Sequence, residues 1–414
     1  MDRRHFLGQS AGVAGAVALG TSLRVDNLLA EHSAIAPAPA PITDDERRAR
    51  IEKARRLMAE HKIDAIFLEG GTSLVYFTGV HWGNSERTFG VVIPQKGELA
   101  WVTPAFEEQR ARELIKFSND VRVWQEDESP YRVIAGIMRD RGAAHGNIGM
   151  EERVRFFIFD GVRQEMPGAT FVSATPVTAG CRMIKSPAEI ALMQHANEIT
   201  LGAIGASFKS MKEGMTNQQL AANVAAETRK LGGNADGALV IFGKYTAFPH
   251  GSIQPQKLRE GDVVLIDAGC TVDGYTSDIT RTTVLGKPTQ RMRDVWDLEK
   301  RAQTAAFNAA TIGATCESVD AAARKVITDA GYGPGYKVPG LPHRTGHGIG
   351  MDGHEWTNFV KGNMTKIAPG MCFSDEPTIA NYAEFGIRLE DCLHITENGA
   401  KMFTPQSPSI EQPV

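Results

Sequence analysis

Four carboxylates in the second half of the chain stand inside segments that otherwise read as buried β-strands. Val263-Val264-Leu265-Ile266 runs directly into Asp267, and Ser277-Asp278 precedes the β-branched Ile279-Thr280. Glu376 follows Phe373-Ser374-Asp375, and Glu390 interrupts the strand-like stretch 386–396. A lone aspartate in a strand is ordinarily a turn or edge residue. A carboxylate facing a core is costly unless it is paired or holds a metal, so the fold must answer for each of them. A hairpin around Val272-Asp273-Gly274 would bring Asp267 and Asp278 to one face. His347, in Gly346-His347-Gly348-Ile349-Gly350, adds an imidazole among glycines that permit close backbone approach. Taken alone, it reads as a surface histidine in a glycine-rich loop. Asp267, Asp278, His347, Glu376 and Glu390 together form an oxygen-rich donor set suited to hard divalent ions. Four carboxylates are too much charge for one ion, whereas two ions sharing bridging carboxylates neutralise it and hold a hydroxide between them.

The remaining features set the frame. A chain of 414 residues exceeds what one core usually organises, so two domains are expected. A formal charge of −4 leaves no basic surplus for nucleic acid, which excludes that class of partner. The 5 cysteines show no C-x-x-C pair and no dense spacing, which argues against zinc fingers and a disulfide scaffold. Arg3-Arg4-His5-Phe6-Leu7, followed by a Gly/Ala/Val run, has the pattern of a twin-arginine export signal. With the Ala/Pro linker it occupies 1–40, and it predicts a periplasmic or secreted protein without stable membrane insertion after signal removal.

From 41 to 184, short strands at 65–68, 89–93, 99–102 and 121–124 alternate with helices from Asp44 and at 105–117 and 131–141, which is an α/β pattern. The boundary falls near Arg182 to Lys185. Ser186-Pro187-Ala188-Glu189 is a capping box with proline at the first helical position, opening a helix to about Lys212. A second helix is expected at 217–231. The rest of 185–414 mixes β-rich stretches (263–267, 280–285, 371–376, 386–396) with helices at 291–311 and 318–330.

On these motifs the chain resembles the M24 metallopeptidases, the pita-bread family of methionine aminopeptidase, aminopeptidase P and prolidase. The resemblance covers about residues 185–405, and the preceding part is similar to the creatinase/prolidase amino-terminal domain. It implies an α+β pita-bread catalytic domain behind an α/β amino-terminal domain. Asp267 and Asp278 would hold one ion. His347, Glu376 and Glu390 would complete the other, with Asp278 and Glu390 bridging and Glu376 doubling as general base. His250 in Phe248-Pro249-His250-Gly251 and His354 in Asp352-Gly353-His354-Glu355 match histidines that handle substrate and the tetrahedral intermediate in the proline-specific branch. His343 and Arg388 match substrate-pocket residues of the same branch. Each of the three histidines also reads as an ordinary polar surface residue.

The implied activity is attack by a metal-bridging hydroxide on the Xaa-Pro bond at the amino terminus of dipeptides or short peptides. Manganese is the first expectation for the metal, with cobalt or zinc as substitutes. A homodimer is implied, in which amino-terminal domains reach the neighbouring active site; the loop at 80–87 reads equally as part of such a contact and as a mobile surface loop. A creatinase-like or other small-amide hydrolase and a non-catalytic peptide-binding module are the competing readings. Departures from the family pattern fall around the substrate pocket: Thr378 follows Pro377, Asp375 precedes Glu376, Gly353 precedes His354, Trp356 follows Glu355, and 243–247 lacks an asparagine.

Overall fold

The computed structural model describes residue 35 and residues 37–414. The Arg3-Arg4 motif and the apolar run after it lie outside the described residues. Among the described residues, no helix is long and apolar enough to cross a membrane.

The amino-terminal domain is built on a six-stranded mixed sheet, in the order Val121–Trp124, Ala100–Pro104, Gly90–Pro94, Ala65–Glu69, Asn147–Met150, Thr170–Ser173. Its three central strands from 65 to 104 are buried along their whole length, because helices cover both faces. Helices Asp44–Glu60 and Thr175–Arg182 pack on one face, and Pro130–Asp140 and Phe156–Glu165 on the other. Thr43 caps the first helix through its side chain, and three acidic residues occupy the first turn, where the helix dipole favours them. The helix expected over 105–117 is shorter and broken: a 3₁₀ turn Ala105–Glu107 leads into Glu108–Leu114. Ile115 is already extended, carrying the chain toward the edge strand at 121. Trp82, in the loop expected to reach a partner, stacks on Phe89 of its own chain at 4.0 Å and lies under Arg110.

The carboxy-terminal domain consists of two halves of the same kind, each a helix pair laid on an antiparallel sheet. In the first half, Pro187–Lys209 and Asn217–Lys230 cover the strands Ile279–Val284, Val263–Val272 and Asn234–Phe242. Both helices open with complete capping boxes, at Ser186 and Thr216. In the second, Gln290–Ala309 and Cys316–Asp329 cover Glu355–Phe359, Gly346–Gly348, Cys372–Asp375, Asp391–Thr396 and Gly399–Met402. The expected hairpin forms at Asp273 and Gly274, whose φ angles of 46° and 83° suit a two-residue turn between Val272 and Tyr275. Its register sets Asp267 opposite Thr280.

The stretch expected as one strand over 386–396 is two. Gly386–Arg388 pairs with Thr378–Ala380, while Asp391–Thr396 joins the five-stranded sheet. Between them Glu390 pairs with Thr280 of the other half, through backbone bonds of 3.1 and 3.3 Å. Glu390 therefore sits at the junction of the two sheets, where the chain must leave one ladder to enter the other.

Candidate metal centre and substrate pocket

All nine residues singled out from the sequence line one cavity of about 320 Å³, together with Arg344. The strand ending past Asp267, the residue before Ile279, the sheet junction at Glu390, the strand carrying His347, and Glu376, the first residue after the strand Cys372–Asp375, converge there. Asp267, Asp278 and Glu390 each offer an oxygen within 4.8 Å of the others, and His347, Glu376 and Glu390 form a second such group. Glu390 belongs to both. A third group joins Asp278, His347 and His354.

The ring of His347 is fixed. Its Nδ1 donates to the carbonyl of Gly348 at 3.1 Å, which leaves Nε2 free of hydrogen, 3.4 Å from Glu376 and 3.7 Å from Asp278. Burial, with the neighbouring His354, pushes its pKa down to about 3, so it is a neutral donor. Burial pushes the Asp278 and Glu390 carboxyls well above the usual range, and their acidic neighbours push in the same direction. Glu376 is pushed up to about 7, mainly by burial, with Arg388 pulling back. Glu390 accepts one bond from Thr280 at 2.6 Å, but its Oε1 is buried with no partner. Crowded acids with an orphaned buried oxygen and a lone-pair nitrogen aimed at them are a donor set that divalent cations fit.

The side chains that hold these donors are placed as specifically. Arg388 pairs with Asp267 and donates to Thr280 Oγ1 at 3.0 Å and to the Pro249 carbonyl at 2.9 Å. His343 has both nitrogens engaged, by the Arg344 carbonyl at 2.7 Å and by Thr378 at 2.9 Å. Burial holds its pKa down to about 4. It is therefore a fixed neutral wall, and Thr378, one of the departures, holds it. Arg344 donates to Nδ1 of His354 at 2.9 Å, and the two rings His347 and His354 lie 4.0 Å apart. His250 lines the cavity from an exposed position.

Sequence reasoning missed Arg344, whose only signal is its place between His343 and His347. It also missed the support beneath Glu390. There Arg281 and Asp391 form a fully buried ion pair at 2.6 Å, and Arg281 donates to the Glu390 carbonyl at 2.7 Å. Asp375 is buried with both oxygens unpartnered, as is Glu299 on the helix behind it.

A two-halved helix-on-sheet domain holding a buried acid-and-imidazole centre defines a metallopeptidase of pita-bread type. Residues 191–397 match metallopeptidase family M24, and residues 50–184 match the creatinase/prolidase N-terminal domain. The chain belongs to the M24 family. A Xaa-Pro dipeptidase of Lactobacillus delbrueckii subsp. lactis is 30% identical over 366 residues, covering 87% of this chain and 98% of that protein. The dipeptidase PepE of Mycobacterium ulcerans superposes with a TM-score of 0.82 at 30% identity, over 90% of this chain and 99% of that one. A prolidase of Thermococcus sibiricus does so with 0.79 at 29% identity, over 88% and 98%.

Proposed function

We propose that the protein is a dinuclear metallopeptidase that cleaves the Xaa-Pro bond at the amino terminus of dipeptides or short peptides. The observation that carries this is the pair of donor groups sharing Glu390, enclosed in one cavity with His250, His343, His354 and Arg388. Asp267 and Asp278 would hold one ion and His347 and Glu376 the other, with Asp278 and Glu390 shared. Oxygen donors outnumber the imidazole, which favours manganese. When bound, the two cations offset the carboxylate charge, polarise the scissile carbonyl and make water nucleophilic at neutral pH.

The chain's own residues supply the proton traffic and the positioning. Glu376, lining the cavity beside His347, accepts the proton of the attacking water. It then delivers a proton to the leaving nitrogen, which in proline has no N–H of its own. Because Arg344 donates to Nδ1 of His354, the neutral ring carries its hydrogen on Nε2. That hydrogen is available to an oxyanion developing in the cavity. Arg388 orients Asp267, and His343 is a rigid wall. His250 and Arg388 offer polar contacts to the prolyl half. The names of the relatives support the dipeptidase form of this reading.

The test compares Ala-Pro with Ala-Ala on the metal-loaded enzyme. A strong preference for Ala-Pro in kcat/KM is expected; equal values would reject proline specificity while leaving the hydrolase intact.

A further inference from the structure

Residues 330–345, between the helix Cys316–Asp329 and the strand Gly346–Gly348, form a strap without helix or strand, and near its end stand two walls of the catalytic cavity, His343 and Arg344. A segment this long and irregular inside a compact domain has to be ordered by bonds from outside it. Its middle is pinned by one bridge, between Gly340 and Ala380, at 3.1 and 2.9 Å. Its end is held by one turn of the helix. Arg324 donates through Nη1 to the carbonyls of Gly335 at 2.8 Å and Leu341 at 3.0 Å, through Nη2 to the carbonyl of His343, and through Nε to Asp320 at 2.7 Å. The ring of Tyr336, also in the strap, has its centroid 4.4 Å from the guanidinium carbon. Only a planar fork of donors meets acceptors in so many directions; a lysine ammonium is a point charge and cannot span them.

Asp320, one turn before Arg324 and buried, takes the other side. Its Oδ1 accepts the backbone N–H of Thr345 at 3.2 Å and the Thr345 hydroxyl at 2.8 Å. Arg344 is therefore bracketed: Arg324 holds the carbonyl before it and Asp320 the N–H after it. The bracket fixes groups of the site. The Arg344 carbonyl accepts Nδ1–H of His343 at 2.7 Å, the Arg344 side chain donates to His354 at 2.9 Å, and the Thr345 carbonyl accepts the backbone N–H of Glu376 at 2.8 Å. We propose that Arg324, which does not itself line the cavity, is a positioning residue for the reaction: by fixing the end of the strap it sets the His343 ring and the aim of Arg344 on His354. The kinetic part of this rests on the proposed function, in which His354 donates to the oxyanion; the structural part does not.

The test uses Arg324→Met and Arg324→Lys in the full chain, with two readouts. In metal-free protein with isotope-labelled histidines, the bonded ring N–H of His343 should give a slowly exchanging signal, assigned by its absence in His343→Asn. His347, whose Nδ1–H bonds within its own strand, is the internal control. Both variants are expected to lose the His343 signal and to keep that of His347. With metal loaded, kcat is read on Ala-Pro or, where proline specificity fails, on Ala-Ala. It should fall about tenfold or more in Arg324→Met with both ions retained, the cost of losing a residue that supports the working ones. Arg324→Lys, which keeps a charge against Asp320, should recover Tm but little of kcat. Adding Arg344→Met to Arg324→Met should cost less than the product of the two single effects, because both act through one bond. An unchanged His343 signal in Arg324→Met, an unchanged kcat beside a lost signal, full recovery of kcat in Arg324→Lys, or fully multiplicative effects overturns the proposal. Loss of the His347 signal or of an ion in Arg324→Met assigns the effect to the fold or the metal centre and also overturns it. No hydrolysis of either substrate by wild type, with a His343 signal that still depends on Arg324, rejects the proposed function and leaves Arg324 as the residue that sets the strap.

Discussion

Nη2 of Arg182, the last residue of the helix that closes the amino-terminal domain, lies 2.5 Å from Oε1 of Glu355, the residue directly after His354. That oxygen also accepts the backbone N–H of Met351 at 2.9 Å and of Asp352 at 3.1 Å, so one carboxylate fixes the whole turn carrying His354. Burial alone would raise the Glu355 carboxyl, but Lys185 and Arg182 bring it down to about 2. An acid depressed in the folded state contributes stability that is present above its unfolded value and is lost as pH falls through the folded one. Arg182→Met should therefore cost about 3 kcal/mol at neutral pH, because it removes one partner from a buried pair. The gap to wild type should narrow as pH falls from the unfolded value of 4.5 toward about 2. Denaturant titrations across that range check both, and a gap that does not change with pH would detach the loss from this ion pair.

Asp278 takes part in two of the three donor groups, so its loss reaches further than that of any ligand serving one ion. Replacing residues that merely support a ligand costs about 10–100-fold, so Asp278→Ala should exceed the upper end of that range. Metal content should fall by at least one ion per chain. Full turnover with unchanged metal content would sink the dinuclear reading.

Metal binding should release protons near neutrality. Glu376 sits at about 7 in the metal-free chain, and Asp278 and Glu390 are pushed up further in the same direction. Cations require these carboxylates ionised, so apparent affinity should drop steeply as pH falls below about 7. Calorimetry in two buffers of different ionisation heat reads the proton count directly. Binding without proton release at about pH 6.5 would show that the site already holds its full negative charge.

The four carboxylates that line the cavity were legible because each broke an apolar β pattern, and the resemblance then grouped them with His347. The capping boxes at Ser186 and Thr216 were equally local signals, although only the first was read. What stayed hidden is what depends on distant pairs. The Arg182–Glu355 contact spans 173 residues, and Arg281–Asp391 spans 110. The brace on His343 comes from Thr378, which in the sequence stood out only as a departure from the family pattern. The short helix Thr72–Thr78 carries no amphipathic period to detect, and the strand Asn234–Phe242 begins with polar residues and a bulge between Ala235 and Ala238. The stretch 386–396 looked like one strand because Ile387, Leu389, Leu393 and Ile395 keep one alternating apolar face through it; the cross-sheet pairing of Glu390 with Thr280 breaks it.

Glu299 offers a stability test away from the donor atoms. It is fully buried, neither carboxyl oxygen has a partner, and burial holds its pKa well above the ordinary 4.5 while Arg388 pulls the other way. A raised acid gives its full stability below the unfolded pKa and loses it as pH rises toward the folded one, because the unfolded chain gives up the proton first. Glu299→Gln removes that proton linkage while keeping the shape. Its Tm should match wild type near pH 4.5 and exceed it at higher pH. Parallel Tm profiles would mean that Glu299 is ionised in the fold.

His354 separates chemistry from metal binding. Arg344 holds Nδ1 of His354 as an acceptor at 2.9 Å, which places the ring's hydrogen on Nε2. A donor whose bond strengthens as the carbonyl oxygen gains charge lowers the barrier without tightening the ground state. His354→Ala should thus reduce kcat by about 10²–10³-fold, the usual cost of losing one oxyanion donor, with little change in KM. Arg344→Met should act in the same direction but less, since the ring keeps its place and loses only its fixed tautomer. The competing role is written into the same geometry, because His354 also offers a nitrogen within 4.8 Å of the donor atoms of Asp278 and His347. Metal content decides between them. Two ions retained in His354→Ala, with kcat reduced and KM steady, makes it the oxyanion donor. Loss of an ion in step with activity would make it a ligand, and Arg344 the residue that aims it.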